Sequence, residues 1–423
     1  MPTFAPIPPK SPTALRVLHT SDWHIGKRLF NQTRYDEFEA FLTWLITVID
    51  RHKIDVLLVA GDVFDTMTPS NKAQELYYDF LGLVAKSHCE HIIITAGNHD
   101  SPTFLDAPKA LLKSLNVQVI GQATDDPTDE VIVLKQDDDT LAIVLAVPYL
   151  RDKDIRASGS FDDSSQKLTQ TNDGIAKHYR TLSEYAKALQ ADCTKATPII
   201  ATGHLFAAGA SVSSEDDGMR KETVVGTLGQ LDASVFDESI DYVALGHIHA
   251  PQTVANQDRI RYCGSPIAMG FGEAGKIKQV LIADFDPKTP TIYSLAVPIF
   301  VPLVRIKGDF DTISNKLNQL IAQDQKTYAE IEYTGDTLMP QLASLIRQML
   351  EHTPITALNI INKSQYQHIL KATHQGESLK ELSELDVFKK RLERAELDSG
   401  HEALIHAYQA VLHAIHDSDD NAL

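Results

Sequence analysis

The sequence predicts an α/β fold: a layered core that includes a second sheet, then a small α/β region, then C-terminal helices. Three observations carry this. Between Leu15 and Ala296, apolar runs of strand length alternate with amphipathic helical stretches. Five of those runs end in short segments rich in Gly, Asp and His. From Val301 the pattern becomes strand, helix, strand, helix, strand with no such segment, and it is helical thereafter.

The runs Leu15 to Thr20, Val56 to Ala60, Ile92 to Thr95, Ile199 to Thr202 and Tyr242 to Leu245 are short, apolar and bounded by turn formers. They read as buried strands. Tyr35 to His52 places Phe38, Phe41, Leu42, Leu45 and Ile49 on one helical face, and Asn71 to Lys86 and Gly174 to Gln190 also read as helices. Strands alternating with helices imply a layered α/β core. Leu141 to Val147, Ile260 to Tyr262 and Gln279 to Phe285 are added strands that imply a second sheet. The later elements are Leu303–Lys307, Asp311–Ala322, Tyr328–Tyr333, Leu338–His352 and Ala357–Asn362.

Ser383-x-x-Asp386 and Ser399-x-x-Glu402 have capping-box spacing near the C-terminus. A final helix there carries Leu404, Ile405, Tyr408, Val411, Leu412 and Ile415 on one stripe. Such a stripe folds back on its own domain or docks on a partner. The expected division is a disordered leader over 1–14, a core domain over 15–297, a small domain over 298–370 and a helical region over 371–423.

Composition narrows the class. A chain of 423 residues with 43% hydrophobic content is globular and long enough for two or three domains. Its apolar runs fall far short of the roughly 20 residues of a membrane span. The leader carries prolines at 2, 6, 8, 9 and 12 without a basic start and apolar stretch, so it does not read as a signal peptide. Cys89, Cys193 and Cys263 are scattered, which fits a reducing, cytoplasmic compartment. The formal net charge of −18 opposes nucleic-acid binding by this chain alone. Part of it is local, with seven acids and one lysine between Asp125 and Asp139.

The polar segments carry the chemistry. In order they are Asp22-x-His24, Gly61-Asp62-x-x-Asp65, Gly97-Asn98-His99-Asp100, Gly203-His204 and Gly246-His247-x-His249. Ligands of open α/β sheets bind at the carboxyl ends of strands, so all five are expected at one edge. Asp22 and His24 alternate by two, as do His247 and His249, so each pair is expected on one side of an extended strand end. Ile248 would then point into the packing. Mixed imidazole and carboxylate donors suit Mn, Fe, Zn or Co, whereas all-oxygen sites suit Mg or Ca. With no cysteine beside them, a structural zinc is disfavoured. Two metals about 3.5–4 Å apart can clamp the attacking and leaving oxygens of a phosphoryl group. Asp62, a carboxylate with lone pairs in two directions, is the expected bridge between them. A glycine before Asp62, Asn98, His204 and His247 lets the chain turn sharply and approach the ions closely.

These segments resemble the calcineurin-like metallophosphoesterase superfamily, and in detail its branch of SbcD nuclease subunits from bacterial SbcC–SbcD complexes. His19 to Gly26, Ala60 to Asp65, Ala96 to Asp100, Gly203 to Leu205 and Leu245 to His249 match its successive motifs. Arg261 to Pro266 is similar to its closing strand and turn, and the likeness runs from about Leu15 to the last helix. The resemblance implies a two-sheet metallophosphoesterase sandwich flanked by helices, a capping domain and a partner-binding helical region. It implies one metal on Asp22, His24, Asp62 and His249, and a second on Asp62, Asn98, His204 and His247. His99 would contact the scissile phosphate, with Asp65 orienting it, and an Asp–His pair is suited to fixing a tautomer. It further implies two Mn²⁺ ions, an SbcC-like ATPase whose coiled coil receives the last helix, and a homodimer within a heterotetramer. The implied substrates are DNA hairpins and duplex ends, cut by exonuclease and endonuclease action in repair, replication and recombination.

Two other functions share some of these features. A phosphoesterase acting on a small molecule or phosphoprotein would use the same metals but has no need of the C-terminal 120 residues. A non-catalytic scaffold would be expected to have damaged ligand positions. Gly270 to Ile277 nearly matches a phosphate-binding loop, but Ile277 replaces the required Ser or Thr and the segment leads into a strand. Asn31-Gln-Thr33 and Asn362-Lys-Ser364 are sequons without a secretory context. Ser211 to Lys221 is a polar stretch between two motifs.

Overall fold

The computed structural model describes residues 6–155, 164–207, 231–364, 404, 405, 407 and 408. The start of the predicted leader, the stretch Ser211 to Lys221, both C-terminal capping boxes and most of the last predicted helix lie outside these residues. Leu404, Ile405, Ala407 and Tyr408 are helical.

Seventeen strands are present among the described residues. They are β1 (Leu15–Thr20), β2 (Arg28–Leu29), β3 (Gln32–Thr33), β4 (Val56–Ala60), β5 (His91–Thr95), β6 (Val117–Ile120), β7 (Val131–Gln136), β8 (Asp139–Leu145) and β9 (Ile199–His204). Then follow β10 (Tyr242–Gly246), β11 (Gln252–Val254), β12 (Gln257–Tyr262), β13 (Gln279–Phe285), β14 (Pro290–Ala296), β15 (Leu303–Gly308), β16 (Thr327–Tyr333) and β17 (Ile355–Asn362).

Two six-stranded sheets form the core, in the orders β14-β13-β1-β4-β5-β6 and β11-β12-β10-β9-β8-β7. Strands β1, β4, β5 and β6 run parallel, as do β8, β9, β10 and β12. Each strand sends alternate residues to opposite faces. Val17, Val56, Leu58 and Ile93 therefore meet Val144, Ile200, Tyr242 and Ala244 in one apolar layer between the sheets. Their neighbours Leu18, Leu57, Val59, Ile92 and Ile94 pack instead with Phe38, Phe41, Leu45 and Phe80 from helices Tyr35–His52 and Asn71–Val84. On the far side of the second sheet, Ile199, Ala201, Val243 and Leu245 pack with Tyr179, Leu182 and Ala186 of helix Ser164–Ala191. The result is a two-sheet sandwich with helices on both outer faces.

One strand lies elsewhere than its sequence implied. Gln279–Phe285 belongs to the first sheet, antiparallel to β1 from Leu15↔Phe285 to His19↔Leu281, and not to the second. Its apolar residues alternate correctly for either sheet, so composition could not choose between them. Helix 164–191 starts before the predicted Gly174; the sequence does not signal this start, because residues 164–173 carry a single apolar residue, Leu168, and so no apolar period. The helix expected from Leu338 begins at Leu342. Pro340 disfavours a helical residue before it, and a proline is tolerated only near a helix start.

Beyond Val301, β15, β16 and β17 make a three-stranded sheet in that order, with helices Phe310–Ile321 and Leu342–Leu350 between them in sequence. Among the described residues, Cα proximity groups those within 1–305, 320–330 and 352–359 into one unit and those within 306–319, 331–351 and from 360 into a second. The first carries every candidate site residue. Among the described residues, no helix is long and apolar enough to cross a membrane.

Candidate metal centre

The five polar segments converge, but from two sheets. Asp22, His24, Asp62, Asp65, Asn98 and His99 follow β1, β4 and β5 of the first sheet. His204, His247 and His249 end or follow β9 and β10 of the second. The expectation of a single sheet edge is thus corrected to the shared end of two facing sheets.

The backbone device also differs from a strand end. Strand β1 stops at Thr20, and Asp22 and His24 have φ of 51° and 48°. Asp62 and His247 are also left-handed, at 51° and 95°. Non-glycine residues pay roughly 1–2 kcal/mol each for this conformation, and such strain clusters at functional sites. Strand alternation therefore does not set the direction of Asp22 and His24. Their loop is instead held by Gly61 and Asp62, whose carbonyls accept from Asp22 N at 3.0 Å and His24 N at 2.9 Å. Trp23 turns inward, fully buried, against Phe41 and Phe80 at ring-centroid distances of 6.0 and 5.3 Å. Ile248 does the same between His247 and His249, buried in the second outer core.

Two glycines permit the close approach. Gly61 has φ +86°, and a Cβ there would collide with the His204 ring. A Cβ on Gly246 would collide with the Ala60 carbonyl. Only hydrogen fits between the sheets at these two points.

Two groups of donor atoms result. In one, His24 Nε2 lies 3.1 Å from His249 Nε2 and 3.4 Å from Asp62 Oδ2. Asp22 belongs to the same group, with a ligand atom within 4.8 Å of those of His24 and His249. In the other, His204 Nε2 lies 3.2 Å from Asp62 Oδ2 and 3.0 Å from Asn98 Oδ1, and Asn98 Oδ1 lies 3.1 Å from His247 Nδ1. Asp62 Oδ2 thus stands between His24 and His204. Its other oxygen accepts from His99 N at 2.9 Å.

This donor set calls for positive charge. His204 Nδ1 donates to the Ala60 carbonyl at 3.0 Å, so neutral His204 would aim a lone pair at two oxygens. Burial disfavours its imidazolium, yet Asp62, its hydrogen bond and Asp22 raise His204 to about 9. Burial likewise opposes ionisation of Asp62, but His204, His24 and His99 hold it well below the usual carboxylate range. Burial raises Asp22, against the pull of His204. His249 is held well below the usual histidine range by burial, then by His24 and Lys278, which keeps it a neutral lone-pair donor. Facing lone pairs on imidazole, amide and carboxylate fit divalent cations of the Mn, Fe, Zn or Co type. The residues present fit two such ions.

His99 stands beside this set, its ring 4.8 Å from that of His24. Its Nδ1 donates to the main-chain carbonyl of Asp65 at 3.0 Å. The Asp65 carboxylate is set 3.3 Å from His24 Nδ1 and 3.1 Å from Lys27 Nζ. The hydrogen bond from His99 to Asp65 is thus made to the main chain, while the Asp65 carboxylate lies within 4.8 Å of ring nitrogens of both His24 and His99.

Asp100, in the third polar segment, has a task that the sequence does not reveal. Fully buried, it accepts from Gly97 N (2.8 Å), Phe64 N (2.9 Å) and Val63 N (3.1 Å), pinning the loop after β4 to the loop after β5. Burial, then Asp62, raises it to about 6, against those three donors. An acid three residues after a glycine in a tight loop is the signal that could have found it. Sequence reasoning also passes over Arg34 and Glu37. They form a buried bidentate pair at 2.8 and 2.7 Å, and Arg34 Nη1 holds the Ala268 carbonyl at 2.6 Å.

Comparison with known proteins places this geometry. The calcineurin-like phosphoesterase family matches residues 15–251, and a family described as the type 5 capsule protein repressor C-terminal domain matches 299–396. The SbcD subunit of nuclease SbcCD from Escherichia coli strain K12 is 35% identical over 405 residues, covering 95% of this chain and 98% of its own. Its counterpart in Rhodobacter capsulatus is 34% identical, covering 69% of this chain and 71% of its own. That of Bacillus subtilis strain 168 is 30% identical, covering 75% and 78%. The chain belongs to the calcineurin-like phosphoesterases and, within them, to the SbcD nuclease subunits, which makes it a metal-dependent nuclease.

Proposed function

We propose that this chain is the Mn²⁺-dependent subunit that cuts DNA hairpins and duplex ends in partnership with an SbcC-like ATPase, in DNA repair, replication and recombination. The observation that carries it is Asp62 Oδ2, placed 3.4 Å from His24 Nε2 and 3.2 Å from His204 Nε2, between two sets of donors. One ion would rest on Asp22, His24, Asp62 and His249, the other on Asp62, Asn98, His204 and His247. Such a pair supplies Lewis-acid activation of water and neutralises charge on the phosphoryl oxygens.

The chain's own residues do the rest. With Nδ1 engaged by the Asp65 carbonyl, the His99 ring is fixed in tautomer and plane, and Nε2 is assigned to the scissile phosphate. There it would stabilise developing charge or give a proton to the leaving oxygen. The net charge of −18 makes weak DNA binding by the lone subunit the expectation, with two divalent ions adding four positive charges where the phosphate sits. The region 298–370 would cap the site and help select DNA. The region 371–423 would dock on the SbcC-like coiled coil, within a heterotetramer built on a homodimer in the cytoplasm.

The test is incubation of chain and ATPase partner with a labelled hairpin and a labelled duplex end in Mn²⁺. Cleavage that EDTA abolishes is expected. Turnover of nucleotides or phosphoproteins with none of DNA would replace the proposal with a small-molecule or phosphoprotein phosphoesterase.

A further inference from the structure

The near-phosphate-loop segment Gly270 to Lys278 has a place in the site that its sequence does not advertise. It forms a single 3₁₀ turn, Phe271–Glu273, and returns to the sheet at β13. Glu273 and Lys278 are buried, at 4% and 8% exposure, and pair at 2.5 Å. A buried ion pair is weak evidence for stability, since apolar replacements are often as stable. Its location calls for another reason.

That reason is His249. Its Nε2 faces His24 Nε2 at 3.1 Å, so Nε2 is the donor-set nitrogen and Nδ1 the outer one. Glu273 Oε1 lies 3.8 Å from Nδ1, beyond a hydrogen bond but within ion-pair range. Glu273 Oε2 is occupied by Met269 N at 2.9 Å and Lys278 Nζ, which leaves Oε1 to face the imidazole. Lys278 Nζ also donates to the His249 carbonyl at 3.1 Å and Ser265 Oγ at 2.8 Å. Ser265 N donates to that same carbonyl at 3.2 Å. One segment thus holds the main chain of His249 and sets a carboxylate oxygen toward its ring.

We propose that Glu273, seated by Lys278, is the positioning residue for His249, completing a carboxylate–histidine–metal relay at one ion of the pair. Metal-bound histidines almost always give their other N–H to a carboxylate, carbonyl or water, and loss of that partner costs about 10–100-fold in metal affinity. The inference rests on the two-ion reading above. It assigns the two ions different supports: the ion on His249 depends on Glu273, and the ion on His204 does not, because His204 is anchored by the Ala60 carbonyl.

The experiment is a Mn²⁺ titration of the full chain, followed by electron paramagnetic resonance, for wild type and Glu273→Gln, with thermal unfolding alongside. Expected are two ions in wild type and, in the variant, one site unchanged and one weakened about 10–100-fold, with little change in unfolding temperature. Two unchanged sites in Glu273→Gln would overturn the inference. So would equal weakening of both together with lost thermal stability, since that is a structural role. A wild type that binds no ion overturns the two-ion reading and this assignment with it. If Glu273→Gln does not fold, ¹⁵N-histidine correlation spectra of Zn²⁺-loaded wild type decide: a protected Nδ1–H on His249 is expected, and a rapidly exchanging one contradicts it.

Discussion

From the first sheet the site takes both carboxylates, the amide and one imidazole: Asp22, Asp62, Asn98 and His24. From the second it takes histidines alone: His204, His247 and His249. The acidic half is the more heavily braced. Asp22 receives His247 N at 2.8 Å and Ser21 Oγ at 2.5 Å, and Asp62 receives His99 N. Three of its residues have left-handed backbones, against His247 alone in the other half. His204 sits at the end of regular strand β9, with its Nδ1 held by the Ala60 carbonyl. A buried carboxylate must be supplied with donors wherever its partner is absent. The carboxylate half is therefore held by main-chain and hydroxyl donors, whereas in the histidine half the bracing falls on His249, through Lys278 and Ser265.

The largest effect is expected at Asp62, the first-sheet carboxylate that stands between the two donor groups. Asp62→Ala is expected to empty both ions and to lower hairpin cleavage by roughly 10³-fold or more, since ion-pair activation is worth several kcal/mol. Rate and metal content measured on one preparation check this. Next come His24→Ala and His204→Ala, one from each half. Each should cost about one ion per chain and on the order of 10²-fold or more in rate. Loss of both ions from either would show that the two donor groups are not separable.

His99→Ala should keep both ions and lose on the order of 10²-fold in rate, as removal of acid or charge-stabilising groups commonly does. A lost ion there would mean that His99 is a ligand. The smallest effect is expected from Asp65→Ala. The carbonyl that holds His99 remains, while the carboxylate beside His24 goes. Mn²⁺ affinity at one site should fall about 10-fold, with the rate at saturating Mn²⁺ within a few-fold of wild type. A saturating rate as low as that of His99→Ala would mean that the carboxylate acts on His99 after all.

Much of this was legible because burial and ligation leave different marks. Strands β1, β4 and β13 appear at their expected bounds, since their apolar runs end sharply in turn residues. The donor types were legible from the segments that follow each run. Three things were not. The sheet to which β13 belongs depends on pairing across hundreds of residues, on which alternation is silent. The left-handed backbone at Asp22, His24 and Asp62 is imposed by Trp23 packing and by Gly61, and no local propensity demands it. Glu273 was hidden because its neighbours imitate a phosphate loop, and its approach to His249 exists only once the turn before β13 is folded against the loop after β10.

The most direct measurement is the Mn²⁺ stoichiometry of purified wild type and Asp62→Ala, by mass spectrometry after equilibration at equal free metal. Two ions per wild-type chain and none, or nearly none, in Asp62→Ala are expected if one carboxylate joins both donor groups. A full ion retained by Asp62→Ala would contradict the shared ligand and with it the two-ion reading of the site.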